Sequence, residues 1–183
     1  MFGLLLMTLF ACNPPKTAEP QAPEPIVYPW TECSNELQSH ACNFEATTID
    51  GFAELYDYYQ RPIVLDLSTM WCGYCQVEVN EIQDWIDNGG DMGRVKMYSI
   101  LTSVNSSQPN YPPDKWLDSE GWSFQSFTDN ELSGVAQHFG IRGFPFWVLI
   151  DSNGDIVTRL SGSYTKDQFE IILSNLENYD KEN

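Results

Sequence analysis

Positive charge is what this chain has least of. Nine Lys and Arg face twenty-six Asp and Glu, for a net charge of −17. That balance argues against nucleic acid as a partner and against direct adhesion to anionic lipid. Histidine is scarce too. With two His and no second close pair of cysteines, a zinc site built on a C-x-x-C would lack half its ligands. No internal repeat is visible. The apolar stretch at the start, residues 1–11, is too short to cross a membrane as a helix. The 183 residues carry six Trp, nine Tyr and ten Phe, enough for one domain with a substantial core and a tail.

Against these absences stands one pattern rich in chemistry, Trp71-Cys72-Gly73-Tyr74-Cys75. Pro62 to Ser68 is a short apolar run, rich in β-branched residues near its start, and it reads as a buried strand. Cys75, Val79, Ile82 and Ile86 then recur at helical spacing, and Gly89-Gly90 ends that helix. The two cysteines therefore fall on a strand-to-helix turn. Free N–H groups and the helix dipole there favour negative charge on the first sulfur, so its thiolate becomes a usable nucleophile. The second sulfur lies within reach to attack a mixed disulfide and release the product. Asp66 is a carboxylate in an apolar strand, sharing a face with Val64 and Ser68, and burial raises the pKa of such a group.

Further along, Leu132, Val135, Ala136 and Phe139 recur at helical spacing, with His138 off that stripe and expected in solvent. Phe144-Pro145 offers a place for a cis peptide bond, which proline alone makes cheaply. Phe146 and Trp147 read as core of a following strand. Thr165-Lys166-Asp167-Gln168 is a capping box, and Phe169, Ile172, Leu173 and Leu176 form one face of a final helix.

Strand, Asp66, Trp71, Cys72 and Cys75, followed some seventy residues later by Val135 to Pro145, resemble the thioredoxin superfamily over about residues 44–178. The resemblance implies an α/β thioredoxin-like fold, a central mixed sheet flanked by helices. The segment 102–128, with Asp114-Lys115-Trp116-Leu117 and Ser123 to Asp129, is similar to the inserted helix and strand of TlpA/ResA-type proteins. The lead-in from Phe44 through Asp50-Gly51 is similar to their N-terminal hairpin. The resemblance implies an envelope-anchored thiol-disulfide oxidoreductase, most simply one that reduces client disulfides. In it Cys72 is the nucleophile, Cys75 the resolving thiol and Asp66 the proton acceptor for Cys75. It also implies a cis bond at Pro145 that exposes the backbone of Phe144 to substrate, in a groove with Trp71, Gly73 and Tyr74. Gly73-Tyr74 resembles the dipeptide of bacterial disulfide isomerases, and Phe146 replaces a usual threonine, so an isomerase or oxidase is the alternative. Thr69-Met70-Trp71-Cys72 also fits the T-x-x-C of peroxiredoxins, though Leu65 stands where that family has proline. Copper-delivery relatives space their cysteines differently, and a non-catalytic module would not need both thiols, Asp66 and Pro145.

The remaining cysteines suggest the setting. Leu9-Phe10-Ala11-Cys12 fits a bacterial lipobox, although no Lys or Arg precedes it. Residues 1–11 are then expected to be a lipoprotein signal peptide with Cys12 lipidated. Residues 12–28, rich in proline, are expected to be a disordered spacer. Residues 29–43 are expected to be a cysteine-containing extension, and 44–180 the domain. Asn13 resembles the residue after the lipidated cysteine in outer-membrane lipoproteins, which implies a periplasm-facing anchor. Cys33 and Cys42 are expected to form a structural disulfide, with a second redox relay as the competing reading. No cofactor and no metal is expected. The expected partners are envelope proteins with disulfides or thiols and an upstream redox partner, and the protein is expected to be a monomer.

Overall fold

Ile63–Ser68 explains the architecture best, because every residue in it is buried. A strand covered on both faces must lie in the middle of a sheet with helices above and below. The computed structural model describes residues 39–48, 51–55, 60–129 and 132–182. In chain order the elements are β1 (Glu45–Thr48), β2 (Gly51–Glu54), β3 (Ile63–Ser68), α1 (Gly73–Asp87), β4 (Lys96–Leu101), α2 (Pro113–Ser119), β5 (Gln125–Thr128), α3 (Gly134–His138), β6 (Phe146–Ile150), β7 (Ile156–Ser161) and α4 (Lys166–Glu182).

The strand order is β2-β1-β5-β4-β3-β6-β7. Five strands, β5-β4-β3-β6-β7, form the mixed sheet of a thioredoxin-like fold, and the β1–β2 hairpin extends it past β5. β3 runs parallel to β4, and β4 to β5. β6 runs antiparallel to β3 and β7 antiparallel to β6. The inserted α2 and β5 and the N-terminal hairpin stand where the sequence placed them.

Alternation along β3 divides the core. Ile63, Leu65 and Leu67 face a cluster with Tyr98, Ile100, Phe127, Val135 and Phe139, on the α3 side. Val64 faces Ile82, Trp85, Trp147, Phe169 and Leu173, on the side of α1 and α4. A third cluster joins Met70, both redox-motif cysteines and Val79 to Trp116 and Leu117 of α2. α1 ends where Gly89 takes a left-handed φ of 92°. A Cβ on Gly90 would lie 2.3 Å from the Trp85 ring, so the second glycine makes room for that indole.

Two expectations need correction. α3 begins at Gly134, so Leu132 is exposed and lies outside the helical stripe. His138 is half-buried rather than solvated, and burial together with the nearby Arg159 charge pushes its pKa down. The capping box forms as read: the Thr165 N–H donates to Gln168 Oε1 at 3.0 Å, and the Gln168 N–H reaches Thr165 Oγ1 at 3.5 Å. At the other end of the domain the chain joins the β6–β7 turn. The Ala41 N–H donates to Gly154 O at 2.7 Å, and the Ile156 N–H donates to Ser39 O at 2.5 Å.

Candidate active site

β3 ends at Ser68 and α1 starts at Gly73, so Thr69 to Cys72 make the turn between them. The Cys72 N–H donates to Thr69 O at 3.1 Å, which closes that turn. Cys72 is the N-cap of α1, with extended backbone (φ −86°, ψ 114°). Its Sγ accepts the Cys75 N–H at 3.3 Å, the bond a capping oxygen would ordinarily take. A sulfur held against free helix N–H groups is where a thiolate is stabilised. Both thiols are free. Cys72 is 8% exposed and Cys75 fully buried. Burial, the hydrogen bond to the Cys72 sulfur and the nearby Asp66 charge push the Cys75 thiol far up, against the Thr69 N–H, which lowers it. The inner sulfur therefore keeps its proton until something removes it.

Two buried carboxylates lie in the layer below. Asp66, two residues from the end of β3, accepts the Ser68 hydroxyl on Oδ1 at 2.5 Å and the Ser99 hydroxyl on Oδ2 at 3.3 Å. Burial outweighs both bonds and raises its pKa from 3.8 to about 6. Glu78, one turn into α1 from Cys75, accepts the Trp147 indole N–H on Oε1 at 2.9 Å and the Tyr164 N–H on Oε2 at 2.8 Å. Burial and the Asp66 charge push it up to about 9, against those two donors. Both carboxylates are held above the ordinary range, and the charge of Asp66 disfavours that of Glu78. Trp147 stands opposite Asp66 across the β3–β6 ladder, so the strand register itself brings the second carboxylate's donor to the first carboxylate.

Around Cys72 the surface is apolar. Trp71 is 40% exposed and Tyr74 73%. Gly73 has open space where a side chain would be. The Phe144–Pro145 peptide is cis. Phe144 is partly buried and packs edge-on against Trp71, with ring centroids 5.7 Å apart. The sequence thus placed Cys72, Cys75, Asp66, Trp71, Gly73, Tyr74, Phe144 and Pro145 together, and the fold gathers all eight at one end of the sheet.

A thioredoxin-like domain matches residues 55–177, which is most of the chain. The chain belongs to the thioredoxin-like family. Among its relatives, thiol-disulfide oxidoreductase ResA of Halalkalibacterium halodurans is 26% identical over 132 residues, covering 71% of each chain. ResA of Geobacillus kaustophilus is 26% identical over 143 residues, covering 76% of this chain and 77% of that one. The fold is similar to that of a protein from Chlorobium tepidum described as a putative thiol:disulfide interchange protein DsbE, with a TM-score of 0.62 at 20% identity. That match covers 78% of this chain and 99% of the other. It is also similar to StoA of Bacillus subtilis, with a TM-score of 0.59 at 19% identity, covering 73% and 98%.

Within this thioredoxin-like domain, reading the sequence missed Glu78. A signal was present: Cys75, Glu78, Val79 and Ile82 lie on one helical face, so the carboxylate interrupts an apolar stripe. Its donors Trp147 and Tyr164 come from β6 and the start of α4, and no local pattern joins them to α1. Cys42, expected to belong to a staple, is buried and disulfide-bonded. Cys33 and Cys12 lie outside the described residues, as do the expected signal peptide and spacer.

Proposed function

We propose that this protein is a thiol-disulfide oxidoreductase of the cell envelope that reduces disulfides in client proteins through Cys72 and Cys75. The observation that carries the reading is the Cys75 N–H bond to Cys72 Sγ at the head of α1, with a buried, protonated Cys75 beneath it. In the reaction, the Cys72 thiolate attacks one sulfur of a client disulfide. A Cys72–client disulfide forms and the client's other sulfur leaves as a thiolate. Asp66 takes the Cys75 proton, and the Cys75 sulfur attacks Cys72 Sγ. The second client thiolate leaves, the Cys72–Cys75 disulfide closes, and two electrons have passed to the client. An upstream dithiol returns them. Burial and the Asp66 charge favour the protonated form of Glu78, which limits the negative charge beside the sulfurs. The client chain pairs with the backbone at Phe144, before the cis Pro145, as an added strand, between Trp71, Gly73 and Tyr74.

The test is trapping. Cys75→Ser leaves the mixed disulfide without its resolving thiol, so clients accumulate on Cys72 and are identified by mass spectrometry. Cys72→Ser traps none, and trapping through Cys75 instead would overturn the assignment. Insulin reduction reports turnover, and peroxide consumption without it would move the protein to the peroxidase class. A reductant is expected to have a potential nearer the thioredoxin value of about −270 mV than the about −180 mV of an isomerase. Equilibration with glutathione measures it.

The setting is part of the same proposal. Lipid on Cys12 and the spacer 12–28 tether a monomeric domain to the membrane, outer membrane included. The support is the Leu9-Phe10-Ala11-Cys12 sequence, and loss of Cys12→Ala from the membrane fraction is the check. Cys33 is assigned as the partner of Cys42, since Cys72 and Cys75 are free. The bond staples the start of the domain and contributes about 2–3 kcal/mol. Replacing both by Ser lowers the melting temperature and spares turnover. Lost turnover at unchanged stability would make the pair a relay.

A further inference from the structure

Among the described residues, four that are not glycine have left-handed backbone, and three of them lie beside the redox turn: Ser103 (φ 51°), Asn110 (65°) and Ser133 (55°). Such backbone is unfavourable for a residue with a Cβ and persists where the surroundings fix it. Here the fixing bonds converge on the two residues in front of Cys72. Asn110 Nδ2 donates to Met70 O at 3.0 Å, and Gln76 Nε2 donates to the same carbonyl at 2.9 Å. The Trp71 indole N–H donates to Ser103 O at 3.1 Å. The Ser103 N–H in turn donates to Ser133 Oγ at 3.2 Å. The 103–110 loop is thus tied to the redox turn at both its ends.

Two consequences follow for the surface. Trp71 has its one polar atom occupied and an edge against Phe144, so its exposed ring face is held in one orientation. Tyr111, next to the Asn110 anchor, is 51% exposed. Trp71, Tyr74 on the first turn of α1, and Tyr111 are thus three exposed aromatics on segments that form or anchor the redox turn, whose outer thiol is itself almost covered. Exposed aromatics gathered at one place mark a binding surface. Trp71 and Tyr74 flank Cys72 in the chain and Tyr111 follows the residue that bonds Met70 O, which points to the substrate as their occupant.

We propose that Tyr111 is a specificity-determining residue of the exchange reaction. With Trp71 and Tyr74 it forms an aromatic wall that takes the apolar side chain flanking the cysteine of an extended polypeptide disulfide. Asn110 and Ser103 are positioning residues that hold the wall against the redox turn. The inference rests on the exchange activity proposed above. A small disulfide has no side chain to fill the wall and gains nothing from it.

The experiment compares two probes on the full chain. One is a peptide disulfide with Leu and Phe flanking its cysteine; the other is hydroxyethyl disulfide, which is small and uncharged. Tyr111→Ala is expected to lower kcat/KM for the peptide about tenfold, mainly through KM, since burying one aromatic is worth that much. It leaves hydroxyethyl disulfide within about twofold. Trp71→Phe keeps a ring and loses the Ser103 bond, and its loss on the peptide is expected to exceed its loss on hydroxyethyl disulfide. Asn110→Ala and Asn110→Gly share a smaller peptide-specific loss, and their agreement assigns it to the side-chain amide rather than the backbone. Equal losses on both probes, or no loss on the peptide, would overturn the wall. If the wild-type protein reduces neither probe, the exchange reading falls and the wall with it.

Discussion

The two faces of β3 are built from the same six residues and do opposite things. On one face Ile63, Leu65 and Leu67 enter an apolar cluster with Tyr98, Ile100 and Phe127. On the other, Val64 gives way to Asp66 and Ser68, and the helix laid across them contributes Glu78 and Cys75. The first face follows the ordinary rule of cores, in which burial of apolar area stabilises. The second breaks it: each buried carboxylate has its pKa raised, which means that its charged form is destabilised by folding. The difference teaches that both faces pack apolar cores, while the two carboxylates beside the thiols sit on the α1–α4 side, a single pleat away from Leu65 and Leu67.

The comparison can be broken most severely on the apolar face. Leu65 is fully buried there, and Leu65→Ala is expected to cost about 2–5 kcal/mol by removing packing and leaving a cavity. Denaturant unfolding measures this. The folded fraction should still reduce hydroxyethyl disulfide at the wild-type rate. A rate loss beyond the folded fraction would mean that the faces are not separable.

On the other face the sign should reverse. Asp66 binds its proton more tightly folded than unfolded, so its favourable contribution is complete below about pH 3.8 and is lost as pH rises through about 6. Above that, the ionised carboxylate costs about 3 kcal/mol. Asp66→Asn is therefore expected to stabilise the protein by up to that amount at pH 8 and hardly at all at pH 3.5, as melting curves at the two pH values would report. The same variant should lose the rise in reduction rate that the wild-type protein shows through pH 6, because the base is gone. A variant that is no more stable at pH 8 would place Asp66 in water.

The smallest effect sharpens the comparison within the functional face. Ser99→Ala removes the donor on Asp66 Oδ2, which favours the ionised form. The Asp66 titration, followed by carboxyl NMR, should move upward by the equivalent of about 1 kcal/mol. A downward shift would mean that Ser99 restrains the protonated acid instead.

How much of this was legible in the sequence depends on how locally each feature is written. The β3 strand, the Cys72–Cys75 turn and the capping box at Thr165 are each specified within ten residues, and their spacing was enough. Asp66 was readable because alternation along a strand tells which face a residue takes. Glu78 was not read, because its partners Trp147 and Tyr164 lie 69 and 86 residues away and meet it only after β6 pairs with β3. Ser103, Asn110 and Ser133 carry no glycine to announce their left-handed backbone; tertiary hydrogen bonds impose it. Leu132 shows the converse error, a side chain in helical phase with α3 that the helix does not include.

The joining of residues 39–41 to residues 154–156 has a consequence for orientation. β6 runs antiparallel to β3, with Phe146 opposite Leu67 and Ile150 opposite Ile63, so the β6–β7 turn lies at the end of the sheet away from the thiols. A strand of that length spans roughly 20 Å. Residues 39–41 therefore enter the domain at the pole opposite Cys72. A tether joined at that pole would steer the domain like a kite on its line, with the reactive sulfur facing outward and the line itself out of a docking client's path.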